Sequence, residues 1–282
     1  SCDSQGLIVD IDNRIETRAA NAGTEYSAER VTGDNGDMMI LHGHVALGSA
    51  PRDVYRASSD PARQTARTLM AMLELAGIGV AQGYAVTTEP PAASARTLAE
   101  VEGRPLQEQL LRIMNYSNNF MSDVLALGLV DAPRGSLMQA GEALQAYVAG
   151  LPDHGPVVLF CSSAATTENR TSAQGANVLL ESMFHRAALF PSFVAGFQSP
   201  ANGVSRFIRR GSELFQDHVM LKTGTLNQPY AERALSGYFH TDSGRWGVFT
   251  VMVNGTSSTP WLNWAQVLDP LALDMTRMIE NN

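Results

Sequence analysis

The spacing of apolar positions changes along the chain, and the changes mark out its elements. Between residues 6 and 50 apolar and polar positions alternate in short runs, the period of strands. Residues 6–12 and 14–20 are read as two such strands. Asp34-Asn35-Gly36 is a hairpin signal ahead of a third, 38–45. Asp60-Pro61 opens a helix, with Asp as cap and Pro at the first helical position. Leu69, Met72, Leu73 and Ala76 follow at helical spacing, and Gly77 closes it. Residues 80–87 are read as a further strand, and the Pro- and Ala-rich stretch 88–94 as a linker.

From residue 95 the helical period dominates. Leu106, Leu110, Leu111 and Met114 lie on one side of an amphipathic helix over 105–116. A second helix is expected to start at Ser117-Asn118-Asn119 and to carry apolar 124–127. Helices over 136–151 and 171–187 follow, with a short extended run at 156–160 and a polar loop at 161–170 between them. Three strands come next, the first ending in Lys222-Thr223-Gly224-Thr225, then 235–239 and 246–253. Asp242-Ser243-Gly244 turns the chain between the last two, so they pair antiparallel. A terminal helix over 261–279, restarting at Asp269-Pro270, puts Trp264, Leu268, Leu271, Met275 and Met278 in a stripe that should lie on the sheet. The fold class is α+β: an antiparallel sheet packed with helices, preceded by a small β-rich α+β domain.

Composition narrows the function. With 44% hydrophobic and 17% charged residues the chain is globular. A net charge of −8 argues against nucleic acid and against an anionic membrane surface as partners. No apolar stretch reaches the ~20 residues of a membrane span. Cys2 and Cys161 fit no metal spacing. They could pair with each other, but a buried free Cys161 is the better reading. His42 and His44, two apart on a strand, could form a metal pair, but no third ligand is apparent, and no metal or cofactor is expected. His218 is read as a surface residue rather than a base.

Lys222 is the only lysine among 20 basic residues, and it follows apolar Val219-Met220-Leu221. Alternation sends Lys222 and Thr223 to opposite faces, and Thr225 is expected on the lysine's side. Gly224 has no side chain, so a ligand could lie close along that edge. An ammonium beside hydroxyls is a seat for a carboxylate or acyl group. A surface strand that happens to hold a lysine is the plainer alternative.

Ser117-Asn118-Asn119 and, further on, Lys222-Thr223-Gly224 supply Ser-x-Asn and Lys-Thr-Gly in order. This order resembles the penicillin-binding protein and serine β-lactamase superfamily. Residues 105–123, Glu168-Asn169-Arg170-Thr171-Ser172 and the last three strands look like its branch of D-alanyl-D-alanine carboxypeptidase/endopeptidases with a large inserted domain. The resemblance implies that 1–90 is a remnant of the inserted α+β domain, partly continuous with the main domain from about 60. It implies that 91–282 is the C-terminal portion of the penicillin-binding-like domain. It implies catalytic roles for Ser117, which would relay a proton to the leaving amine, for Asn119, which would hold a substrate amide, and for Lys222. It puts Thr223, Gly224, Thr225 and Ser163 at the substrate, with the Thr225 N–H as an oxyanion donor. Ser117 could otherwise be only a helix cap.

The likeness has gaps. The family's nucleophile sits in Ser-x-x-Lys, and this chain holds none, because Val219 stands three before its sole lysine. The motif is therefore expected outside this chain, which looks like part of a longer protein. Ser162-Ser163-Ala164 stands where the family has glycine-serine-glycine, and the family's glycine-threonine-leucine turn is blurred after Ala195-Gly196. Two functions stay open. One is a serine-type carboxypeptidase/endopeptidase acting on peptidoglycan stem peptides through an acyl-enzyme, and binding β-lactams if the nucleophile segment exists. The other is an inactive relative serving as a peptidoglycan-binding or scaffolding module. The family implies a periplasmic or other extracytoplasmic location. Phe120, Val124, Leu125 and Leu127 are too apolar to face water together, so an N-terminal fragment, a partner chain or an altered packing is expected to cover them.

Overall fold

The computed structural model describes residues 10–33, 36–51, 53–54, 56–132, 134–163 and 166–282. The chain forms two compact units, Ser1–Ala99 and Glu100–Asn282.

The first unit holds strands β1 (Asp10–Arg18), β2 (Glu25–Gly33) and β3 (Gly36–Ala46), with β3 central, parallel to β1 and antiparallel to β2. Residues 10–20 hold one strand rather than the ends of two. Asp12 and Glu16 each accept from the arginine two residues on, at 2.6 and 2.9 Å, on one exposed face, so no polar break divides the run. Positions 6–9, Cys2 and the hairpin residues 34 and 35 lie outside the described residues. Asp37, at the start of β3, accepts from the hydroxyl and backbone N–H of Ser59 and from Thr32 Oγ1. These bonds, Ser59's first, hold its carboxyl down at about 2 and tie the sheet to the approach of α1 (Pro61–Leu75). Asp60 caps α1 as expected, accepting from Arg63 N–H at 3.0 Å. Residues 80–87 form no strand, because a turn at Ala81-Gln82 breaks the run. Among the described residues of this unit, Ala28 is the one buried hydrophobic side chain.

The second unit is built on a three-stranded antiparallel meander, β4 (Val219–Leu226), β5 (Glu232–His240) and β6 (Trp246–Asn254), in that spatial order. One face carries Val219, Leu221, Leu235, Phe239 and Phe249 against α8 (Trp264–Glu280). Leu268 and Met275 of the expected stripe are buried there, with Trp264 and Leu271 packed alongside. Met278 is exposed, and Ile279 takes the inward position. The helix begins at Trp264, not 261, because Asn263 and Gln266 form a reciprocal capping box, and Pro270 is accommodated without a restart. The other face buries Tyr238 against Leu180 of α5 (Ala173–Phe184) and against Phe197, with Met220 beside them.

This division settles the faces of β4. Val219 and Leu221 look to α8 and Met220 looks the other way, and the register to β5 is unbroken. Lys222 and Gly224 therefore share the Met220 side. Thr225 falls with Thr223 and not, as expected, with the lysine. Among the described residues, the run at 156–160 pairs only through a bridge between Val158 and Arg170.

Candidate active site

Helices α2 (Leu106–Tyr116) and α3 (Asn119–Leu127) are joined by a sharp corner. Ser117 closes α2 in the left-handed conformation, φ 51° and ψ 48°. It is not the cap of α3, the alternative weighed above. Asn118 takes that task, accepting from Met121 N–H at 2.9 Å. The Ser117 hydroxyl is thus spent on neither helix, and Lys222 Nζ donates to its Oγ at 2.9 Å. The ammonium also donates to the Thr223 carbonyl at 2.6 Å. Burial pushes the lysine's pKa below its ordinary value. Asn119 is exposed on the first turn of α3, with no hydrogen bond to its carboxamide among the described residues.

β4 is an edge strand. Leu221 exchanges both backbone bonds with Gln198 at 2.9 Å, so the main-chain groups of alternate residues, 223 and 225, point out along the same edge. Beyond Leu221 this edge has no neighbouring strand among the described residues. At Gly224 an added Cβ would sit 3.5 Å from the Cβ of Ala234, an ordinary contact. Packing within the protein does not demand glycine there; the space beside it is left open.

The opposite wall is the loop that starts at Cys161. Asp123 of α3 anchors it, accepting from Ser162 Oγ at 2.9 Å and Ser163 N–H at 3.0 Å. Asn169 ties the loop's two ends, accepting from Phe160 N–H at 2.8 Å and donating to the Cys161 carbonyl at 3.2 Å. Cys161 is a buried free thiol that donates to the Ser163 carbonyl at 3.3 Å. Ala164 lies outside the described residues. Between this loop and the end of β4 runs a cleft of about 610 Å³, lined by Ser163, Asn169, Gly224, Thr225 and Asn254 among others.

Of the residues singled out in the sequence, Ser117 and Lys222 meet directly, and Ser163, Gly224 and Thr225 line one cleft. Lys222 lies two residues back along β4 from that lining, with Ser117 against it. His218 is corrected: its side chain is largely buried, stacked on His240 with ring centroids 4.4 Å apart. Its Nδ1 donates to the His240 carbonyl at 2.8 Å. His42 bonds the Ser27 hydroxyl, and no three ligand-type side chains gather among the described residues. A hollow of about 400 Å³ in the first unit, bordered by Ile15, Leu41, Val45 and Leu47, is lined, among the described residues, by no carboxylate, histidine or basic residue. Asp123, Asn169 and Gln198 were not found in the sequence. Asp123 and Asn169 lie in stretches noted for their family likeness, whereas Gln198 carries no signal of its own.

The model of the D-Ala-D-Ala carboxypeptidase 3 (S13) family, Peptidase_S13, matches residues 2–272. No curated protein matches the chain. Among solved structures, the crystal structure of penicillin binding protein 4 (dacB) from Haemophilus influenzae, complexed with a novel β-lactam, is similar with a TM-score of 0.72 and 17% sequence identity. The match covers 98% of this chain and 63% of that one. This likeness speaks to the fold, which is that of a penicillin-binding protein.

Proposed function

The chain belongs to the D-Ala-D-Ala carboxypeptidase 3 (S13) family, and on that premise we propose that it forms part of a serine-type D-alanyl-D-alanine carboxypeptidase/endopeptidase acting on peptidoglycan stem peptides outside the cytoplasm. The observation that carries this reading is the Lys222 Nζ to Ser117 Oγ hydrogen bond of 2.9 Å. Ser117 accepts from the ammonium, so its own proton is free to be given elsewhere. In the proposed reaction a serine oxygen attacks the carbonyl of the scissile amide and the C–N bond breaks. The lysine of that serine's Ser-x-x-Lys takes the attacking hydroxyl's proton, Ser117 passes its own proton to the leaving amine and regains one from that lysine, and water then cleaves the resulting ester. The buried ammonium favours the anionic tetrahedral intermediate. The attacking serine comes from polypeptide outside residues 1–282, which contain no Ser-x-x-Lys.

The rest of the geometry supports substrate placement. An extended peptide can pair with the open edge of β4 at residues 223 and 225, as an added strand does. The Thr225 N–H on that edge serves as one oxyanion donor. The open side of Gly224 admits the peptide backbone. Thr223, Thr225 and Ser163 take the substrate's terminal carboxylate and amides, and Asn119 offers its unengaged carboxamide. The polypeptide that supplies the nucleophile also covers α2 and α3, where Phe120 is 76% exposed and Leu106, Leu110 and Val124 are exposed beside it.

One observation favours a second reading. The sole lysine lies on β4 and no other lysine is present to activate a serine, as expected of a binding or scaffolding module that has lost catalysis. Fluorescent penicillin distinguishes the two. Covalent labelling of the whole gene product, abolished by boiling and absent from the 282-residue chain alone, supports the enzyme. A folded but unlabelled gene product overturns it in favour of the binding module.

A further inference from the structure

Gln198 is a polar side chain only 3% exposed, and it is bonded to both elements that frame the site. Its backbone exchanges both hydrogen bonds with Leu221, the residue before Lys222. Its Nε2 donates to the carbonyl of Asn115 at 2.8 Å, two residues before Ser117. Its Oε1 accepts from Ser205 N–H at 2.9 Å. The segment around it is pressed against α2 and folded tightly on itself. A Cβ at Gly196 would lie 3.0 Å from Met114 Cγ of α2, and one at Gly203 3.0 Å from Gln198's own Oε1. Residue 198 thus links the end of α2, through its carboxamide, to the edge of β4, through its backbone, and these are the two elements that deliver Ser117 and Lys222.

We propose that Gln198 is a positioning residue whose carboxamide sets the approach of the Ser117 hydroxyl to the Lys222 ammonium. This rests on the reading of Ser117 and Lys222 as a working pair. Gln198 touches no reacting atom. It holds the backbone upstream of each partner, so that the corner at Ser117 cannot drift from β4. A buried amide is costly unless both its ends are bonded; here Nε2 is bonded across the junction to α2, and Oε1 to Ser205 N–H in its own segment, which fixes the carboxamide's direction.

Lys222 is the sole lysine, so ¹³C-lysine labelling of the 282-residue chain gives one side-chain environment, and its titration midpoint reads the pair without any catalysis. Ser117→Ala sets the scale. It removes an acceptor that favours the charged amine and should cut the proton affinity of Lys222 about tenfold. Gln198→Met keeps the volume and removes both side-chain bonds. Gln198→Asn stays polar and neutral but is too short to span both partners, and it decides the matter if the methionine variant does not fold. Each is expected to give a large part of the Ser117→Ala loss with circular dichroism unchanged. Wild-type midpoints in the folded Gln198 variants, whatever their melting temperatures, overturn the proposal while leaving the Ser117–Lys222 pair intact. An unchanged midpoint in Ser117→Ala overturns the pair and this inference together.

Discussion

Lys222 Nζ and Ser117 Oγ lie 2.9 Å apart although 105 residues separate them in the chain. The ammonium is held in a largely buried position, and burial lowers its pKa. The folded state therefore binds fewer protons than the unfolded chain between the lowered value and 10.5, the ordinary one. Stability contributed at this site rises with pH through that window. Below the folded pKa the buried charge is a constant penalty. Lys222→Met should therefore be more stable than wild type at neutral pH, with the advantage shrinking as pH climbs towards the ordinary lysine value. Urea melts of both proteins across the alkaline range test this. An advantage that grows with pH would contradict the sign.

The two glycines of β4 and β5 should separate fold from function. A Cβ at Gly224 meets Ala234 at an ordinary distance, whereas one at Gly237 runs into the Met220 carbonyl and lies 2.9 Å from Leu221 Cα. Gly237→Ala is expected to cost about 2 kcal/mol or more through overpacking. Gly224→Ala should melt at the wild-type temperature yet lose most penicillin labelling in the whole gene product, because the methyl occupies space reserved for ligand. A destabilised Gly224→Ala, or one that labels normally, would show that this side of the strand is not open ground.

Much of this arrangement was legible in the sequence, for reasons particular residues make plain. A lone lysine after three apolar residues stands out, and Asp242-Ser243-Gly244 announces the β5–β6 turn; these are local signals. Ser117 is legible as a candidate but not as a left-handed corner, since an Asn next to it competes for the cap and wins. His218 reads as polar and exposed until the tertiary fold stacks it on His240, 22 residues away. Asp123 and Gln198 are tied to partners as far as 40 and 83 residues away, and no periodicity records such partners. The placement of Thr225 failed differently: it departs from the period of two that the strand obeys.

Asp123 should be the weak point of the cleft's far wall. Its Oδ1 is the acceptor for both Ser162 Oγ and Ser163 N–H. Asp123→Ala leaves both donors without it, at a cost of about 1–3 kcal/mol. The loop it releases carries Cys161, a thiol 7% exposed in the intact wall. In a Cys2→Ser background, Asp123→Ala is expected to react with a thiol reagent such as dithionitrobenzoate many times faster than its parent. An unaltered rate would mean that the loop stays closed without Asp123.

The outer side of α2 and α3 makes a claim about the chain by itself. Phe120, Val124, Leu106 and Leu110 are all exposed on two helices joined at Ser117. Apolar surface left in water forfeits about 25 cal/mol per Å² relative to burial, and neighbouring side chains of this size favour association. The 282-residue chain should therefore bind an apolar dye such as anilinonaphthalene sulfonate and elute above monomer size. Phe120→Ser with Val124→Ser should reduce dye binding and shift elution towards the monomer, because neither side chain contributes to the buried core. Polypeptide carrying the nucleophile, added in trans, should do the same to the wild-type chain. A monodisperse wild-type monomer that ignores the dye would remove the need for any covering segment. It would also turn the balance of readings towards the self-sufficient binding module.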